Sequence, residues 1–324
     1  MEILTQFFLP ASIWFQQLPE WLIPIMKGVT LLGNVEFYLL VMPLLFWCID
    51  ISLGIRMGLL LLMSGGINAL LKLGFQSPRP FWVTKEVQGL SEGISFGFPS
   101  GHAQNAAGMW GLLGVTLNKQ WEKALVFILI LLIGLSRILL GVHFLHDVLI
   151  GWLVGGLIVW AFVRLEPKVI AWYKRSSLGT QIVMLVLITS LFILPALLIS
   201  PPLNFPEIPQ IWMENAGIEL HPYDYEDLLT SAGAFFGLGL GIIFLDRYGM
   251  ITTKGKIWQL ILRYIVGVIG VLILYLGLGS VFPDDISAAA YVLRFVRYTL
   301  IGLWIAYGAP VVFTWLKLTT LKEQ

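Results

Sequence analysis

The chain is short of charge and nearly without cysteine. Asp, Glu, Lys and Arg make up 12% of its 324 residues and hydrophobic residues 58%, whereas a soluble domain averages roughly 25% charged residues. With a mean hydropathy of +0.85, that deficit excludes an ordinary soluble fold and identifies an integral membrane protein. The net charge of +1 argues against a nucleic-acid partner, which calls for a concentrated basic face. Cys48 is the single cysteine, which excludes an intramolecular disulfide and a thiolate metal site. No HExxH or comparable ligand spacing is present to suggest a metal. The first ten residues hold no Lys or Arg, so they lack the basic n-region of a cleavable signal peptide.

What is abundant is apolar sequence in long runs. A helix crossing the hydrocarbon needs ~20 mostly apolar residues. Segments of that kind lie near 22–47, 51–74, 100–118, 121–138, 143–164, 180–200, 228–246, 257–281 and 290–316. The first is long enough to be tilted. Strand-like alternation is missing, and an open sheet cannot sit in lipid, so the expected fold is an all-α polytopic bundle of about nine spans. Residues 1–21, with Phe7, Phe8, Trp14 and Phe15 among polar neighbours, suit an amphipathic helix lying in the interface. The expected organisation is a single membrane domain, with a core over 1–165 and further helices over 166–324 packed on it.

Basic loops set the orientation. Lys119 and Lys123, then Arg164, Lys168, Lys174 and Arg175, then Arg247, Lys254 and Lys256, and finally Lys317 and Lys322 all fall on one side. The positive-inside rule makes that side cytoplasmic. The opposite side is acidic: 201–227 contains Glu207, Glu214, Glu219, Asp224, Glu226 and Asp227 without a Lys or Arg, and Asp284 and Asp285 follow in a later turn. An odd span count then puts the N-terminus outside and the C-terminus in the cytosol.

Three polar clusters fall on the outer side, each at the edge of an apolar run: Lys72 with Arg79-Pro80, Pro99-Ser100-Gly101-His102, and Ser136-Arg137 with His143 and Asp147. Ionisable residues next to a span are costly unless they have partners, which marks them as functional candidates. Taken singly, each has a plain alternative. Lys72 and Arg79 can snorkel to the interface, and the prolines beside Arg79 stop the helix so that both cations turn towards the headgroups. Ser100 and Gly101 at a helix start leave backbone N–H groups aimed at an anion, or form an ordinary N-cap. His143 and Asp147 are four apart on one helix face. The carboxylate can take a hydrogen bond from one ring nitrogen and expose the other as a nucleophile; a structural hydrogen bond or half a metal site are the alternatives. If they converge at one membrane face, three cations, two histidines and a carboxylate make a phosphate-handling site.

In this order and spacing the clusters resemble the type 2 phosphatidic-acid phosphatase (PAP2) superfamily, whose pattern is KxxxxxxRP, PSGH and SRxxxxxHxxxD. Lys72 to Pro80, Pro99 to His102, and Ser136-Arg137 with His143 and Asp147 match it without a gap. The resemblance implies a PAP2-type helical bundle and a two-step phosphoryl transfer. His143 would attack phosphorus, with Asp147 orienting its ring; His102 would protonate the leaving oxygen and then activate water. Lys72, Arg79, Arg137, Ser100 and the Gly101 N–H would hold the phosphoryl oxygens, each such donor being worth ~3 kcal/mol. No metal and no cofactor are implied. The pH optimum would reflect neutral His143 and protonated His102. His146, about 300° from His143 around the helix, borders the site in a structural or substrate-contacting role.

Further features are similar to the branch that contains the glucose-6-phosphatase catalytic subunits: Arg79-Pro80-Phe81-Trp82, Pro99-Ser100-Gly101-His102-Ala103, His143-Phe144-Leu145-His146 and a glycine-rich seventh span. Bacterial lipid phosphatases share this long architecture. The leading expectation is a lipid phosphomonoester or pyrophosphate hydrolysed outside the cytosol, in a periplasm or an ER lumen. A sugar phosphate is the alternative, and a phosphotransferase or anion transporter the further ones; the oligomeric state is open. In the C-terminal half, Gly233, Gly237 and Gly241 mark a face for close helix packing. Arg294 and Arg297 call for acidic partners, from Asp284, Asp285 or 219–227. The 201–227 loop, with Pro201, Pro202, Pro206, Pro209, Trp212 and Tyr223, is long enough to cover a site or simply to connect two spans.

Overall fold

The computed structural model describes residues 2–91, 93–199, 205–283 and 285–321; Pro201, Pro202, Asp284 and Lys322, named above, lie outside them. Among the described residues the regular structure is helical apart from an isolated antiparallel bridge between Ile251 and Leu321. The helices are α1 (Glu2–Gln16), α2 (Leu22–Leu31), α3 (Val35–Leu44), α4 (Ile51–Phe75), α5 (Pro80–Val83), α6 (Gly101–Thr116), α7 (Gln120–Leu139), α8 (Leu145–Arg175), α9 (Leu178–Ile199), α10 (Gln210–Ala216), α11 (Glu226–Tyr248), α12 (Ile257–Leu272), α13 (Ala288–Leu303) and α14 (Ala309–Trp315). π-helical turns follow α3, α12 and α13 at Leu45–Ile49, Ile273–Gly277 and Trp304–Gly308.

Six stretches are long and apolar enough to cross a membrane: Ile51–Val83, Leu145–Arg175, Leu178–Ile199, Glu226–Tyr248, Ile257–Gly277 and Ala288–Trp315. The remaining three apolar segments are helical too, but differ in kind. α6 has 16 residues and buries Gln104 and Asn105. α7 is long enough but carries Glu122, Lys123 and Arg137. The first segment is not one tilted helix. It breaks at Leu32-Gly33-Asn34, because Gly33 and Asn34 donate back to Thr30 O and Leu31 O in tight turns (2.9 and 3.1 Å) and the chain restarts as α3.

Two compact units divide the chain. The first lies within Met1–Tyr38, Ile67–Arg164 and Ala196–Asp224; the second within Leu39–Gly66, Leu165–Pro195 and Tyr225–Gln324. In the first, Phe81, Trp82, Val87, Phe96, Leu139, Leu140, Val142 and Leu220 form a buried cluster. Leu9, Ile13 and Phe15 of α1 pack on it, while Phe7 and Trp14 face outward at 73% and 57% exposure. α1 is therefore the two-faced helix that its composition suggests. Gln16 ties its end down, accepting from Gln88 N–H at 2.8 Å and donating to Gln88 O. The loop after α9 also belongs to this unit. Trp212 packs on Trp82 (centroids 5.7 Å apart) and Tyr223 on Phe96 (5.0 Å). Asn215 donates to Trp82 O at 3.0 Å, so residues 205–224 fold over α5.

In the second unit, Phe46, Trp47, Cys48, Leu238, Leu245, Ala306, Ala309 and Phe313 form the core. Trp47 Nε1 donates to Ile305 O at 2.9 Å, a carbonyl inside the last π turn, where i→i+5 pairing departs from the α register. α11 and α13 meet backbone to backbone: a Cβ on Gly237 would lie 1.9 Å from Thr299 O, so only glycine fits. Arg294 pairs with Glu226, in one of the two acidic stretches considered for it. Arg297 differs from expectation. Its guanidinium lies over the rings of Tyr275 and Tyr298 (5.4 and 5.1 Å), and among the described residues it has no ion pair; ring faces take the place of a carboxylate.

Arg263, 1% exposed, is the fastener of this unit. Its guanidinium donates to Leu318 O, Trp47 O, Thr252 O and Lys254 O at 2.7 to 3.3 Å, tying three backbone segments to α12. Arg263→Met is expected to lower stability by about 3 kcal/mol, since it strands several buried carbonyls. Arg263→Lys is expected to recover little, because an ammonium cannot reproduce the planar fork. Thermal unfolding in detergent checks both.

Candidate active site

All nine candidate residues lie in the first unit. Lys72 ends α4, Arg79 precedes α5, Ser100 caps α6, Arg137 occupies the last turn of α7, and His146 and Asp147 open α8. Between α7 and α8 the chain reverses at Gly141, whose φ of 72° is a conformation that a Cβ disfavours. That turn returns His143 beside Arg137, and Val142 N–H donates to Arg137 O at 3.2 Å.

The three motifs are joined by hydrogen bonds. Ser100 N–H donates to Asp147 O at 3.0 Å, linking the second motif to the third. Arg79, 4% exposed, links the first to the third, donating from Nη1 to Val142 O at 3.0 Å and lying 3.3 Å from His143 Nε2. Lys72 and Arg79 converge on Ser95: Lys72 Nζ donates to its Oγ at 2.9 Å, Arg79 Nη2 to the same Oγ at 3.3 Å and Arg79 Nε to its carbonyl at 2.6 Å. Arg137 donates from Nη1 to Thr30 Oγ1 and Ser91 Oγ. Its buried Nε has no hydrogen-bond partner among the described residues. Lys72, Arg79, Arg137 and His102 all act electrostatically on the His143 ring.

His143 is thus held between opposite charges. Nδ1 lies 3.4 Å from Asp147 Oδ2, longer than an aligned hydrogen bond, while Nε2 faces the Arg79 guanidinium. Asp147, fully buried, accepts from Phe144 N–H at 2.8 Å, and its other oxygen lies 3.1 Å from His146 Nε2. His146 is 6% exposed and stacks among Phe8, Phe98 and Phe144 at 4.9 to 5.7 Å. Of its two expected roles, the contacts within the protein are those of a structural residue beside Asp147. Ser100 Oγ serves as the N-cap, facing Ala103 N–H at 3.5 Å. Gly101 has Asn68 Oδ1 3.0 Å from where a Cβ would stand, and Asn68 donates to Pro99 O and Gln104 Oε1.

Ser95, Asn68, Thr30 and Asn34 bind the motif residues yet belong to no charged pattern. The one visible signal is Gly33-Asn34, a turn-forming pair inside an apolar run. An open cleft of ≈ 600 Å³ lies beside the site, lined by Phe81, Lys85, Gln88, Ser91, Asn215 and Ile218 among others. Ser91 joins it to Arg137.

The PAP2 superfamily model matches residues 53–171, which include all nine candidates, and the model described as PAP2 superfamily phosphatase, transmembrane extension, matches residues 229–322. Phosphatidylglycerophosphatase B of Bacillus subtilis is 32% identical over 178 residues, 49% of this chain and 81% of the relative. Glucose-6-phosphatase catalytic subunit 1 of Haplochromis nubilus is 29% identical over 263 residues, 71% of this chain and 72% of the relative. Among solved structures, the transmembrane PAP2-type phosphatidylglycerolphosphate phosphatase of Bacillus subtilis aligns with a TM-score of 0.45 at 26% identity, covering 52% of this chain and 88% of that one.

Proposed function

The chain belongs to the PAP2 superfamily and is a membrane phosphatase, and we propose that it hydrolyses the phosphomonoester or pyrophosphate of a membrane lipid through a phosphohistidine, without a metal. The observation that carries this reading is the setting of His143: a carboxylate behind Nδ1 and a guanidinium at Nε2. That is the environment of a nucleophile whose target is an anion.

In the first step His143 Nε2 attacks phosphorus, the P–O bond to the leaving group breaks, and His102 gives that oxygen a proton. In the second, water attacks the phosphorus, His102 takes its proton, and the P–N bond breaks to restore His143. Lys72, Arg79, Arg137 and the α6 N-terminus hold the equatorial oxygens throughout, a fixed field that needs no rearrangement as charge develops. A lipid is favoured by α1, which packs Phe8 on His146 and turns Phe7 and Trp14 outward. Loop charge supports an outer-face site with the C-terminus in the cytosol.

A second reading keeps the mechanism and exchanges the lipid for a sugar phosphate. It draws on length: a glucose-6-phosphatase relative aligns over 71% of this chain, the phosphatidylglycerophosphatase over 49%. Phosphate release by the purified protein in detergent with EDTA, measured on phosphatidate, polyprenyl diphosphate and glucose 6-phosphate, separates the two. Activity in EDTA with kcat/KM highest on a lipid is expected. Preference for glucose 6-phosphate would transfer the site to the second reading, and activity that requires added divalent metal would overturn the mechanism.

A further inference from the structure

His102 has a partner that none of the three motifs supplies. Its Nε2 lies 2.7 Å from Asn34 Oδ1, the shortest side-chain contact made by any histidine of the site. Asn34 stands just past the break between α2 and α3, where an apolar segment would otherwise run on as helix. The break is held from two directions. Trp110 of α6 donates from Nε1 to Leu32 O at 3.1 Å, and Phe37 stacks on the Trp110 ring at 6.3 Å. One turn earlier, Thr30 Oγ1 accepts from Arg137. The segment 30–34 therefore reaches the site twice, once at a cation and once at the proposed proton donor.

We propose that Asn34 is the positioning residue of His102, fixing the ring so that one nitrogen faces the leaving oxygen. The inference rests on the phosphohistidine reading above. An amide oxygen only accepts, so Nε2 must carry the hydrogen when Asn34 Oδ1 faces it, which leaves Nδ1 for the proton that goes to the leaving group and later comes from water. The two histidines then follow one logic: each has a nitrogen facing a side-chain oxygen, Asp147 Oδ2 at 3.4 Å for His143 and Asn34 Oδ1 at 2.7 Å for His102, and works with the other. A neutral amide suits His102. This residue must both give and take a proton within one turnover, and a carboxylate would favour its charged form alone.

The test uses leaving groups that differ in their need for a proton. An alkoxide such as that from phosphatidate needs one; p-nitrophenolate does not. In single-turnover release of the leaving group, Asn34→Leu is expected to slow the phosphatidate reaction about 10–100-fold with KM within about twofold. The p-nitrophenyl phosphate reaction of the same variant is expected to change less than about threefold. Asn34→Asp, whose carboxylate keeps an acceptor at the same reach and favours the protonated His102 that leaving-group release requires, is expected to bring phosphatidate release back within about threefold of wild type. Equal slowing of both substrates, no slowing of phosphatidate, or no recovery with Asp overturns the assignment. Failure of the phosphohistidine reading looks different: wild type itself would form no base-stable phosphoryl adduct, whatever residue 34 is.

Discussion

His143→Ala is expected to abolish phosphate release, by about 10⁴-fold or more, while the protein stays folded. The size follows from the site. His143 Nε2 lies 3.3 Å from Arg79 Nη1, and alanine removes the atom to which phosphorus would bond. What survives is a cation cluster that binds an oxyanion without an attacking group, so substrate affinity is expected to hold while kcat collapses. A brief exposure to radiolabelled substrate followed by denaturation checks the same point: wild type retains an acid-labile, base-stable label and the variant none. A label that persists in the variant would assign the nucleophile elsewhere, and full activity would remove the covalent mechanism altogether.

Arg79→Lys is the second large effect, expected to lower kcat/KM by about 10²–10³-fold, which is about 3–4 kcal/mol of transition-state stabilisation. Charge is conserved in this change; the fork is not. Arg79 spends Nε on Ser95 O, Nη1 on Val142 O and the His143 ring, and Nη2 on Ser95 Oγ and Phe96 O. A lysine has three donors on one atom and cannot serve carbonyls on opposite sides while presenting charge to phosphate. Retention of more than about a third of the wild-type kcat/KM would show that only net charge matters at this position. Circular dichroism and thermal unfolding separate the catalytic loss from loosening of the 91–98 segment.

The charged residues that the structure gathers in the first unit were legible in the sequence because they are of rare types. A Lys, two Arg, two His and an Asp stand out against an apolar background, and membrane cost implies that they have partners. The partners themselves were not legible. Ser95 collects Lys72 and Arg79 through one hydroxyl and one carbonyl, and a serine in a loop carries no pattern that announces this. Arg263 was passed over for a related reason: its acceptors are backbone carbonyls, which every residue has. The break at Leu32–Asn34 was hidden by hydropathy, since Leu22–Leu31 and the apolar residues after Asn34 merge into one run when only polarity is averaged. Charge counting left Arg294 two acidic stretches, of which the structure uses Glu226, whereas the tyrosine faces under Arg297 are invisible to it.

The contact between α11 and α13 also sets an order of assembly. Gly237 and Thr299 meet with no room for a methyl group, yet α12 is made between them. While α12 is being synthesised, the glycine face of α11 has no α13 to meet, and in lipid a bare face of small residues attracts any helix that offers another. The tightest joint of the second unit is therefore among the last to close. A chain cut short before residue 288 lacks α13, so the glycine face of α11 is left without its native neighbour.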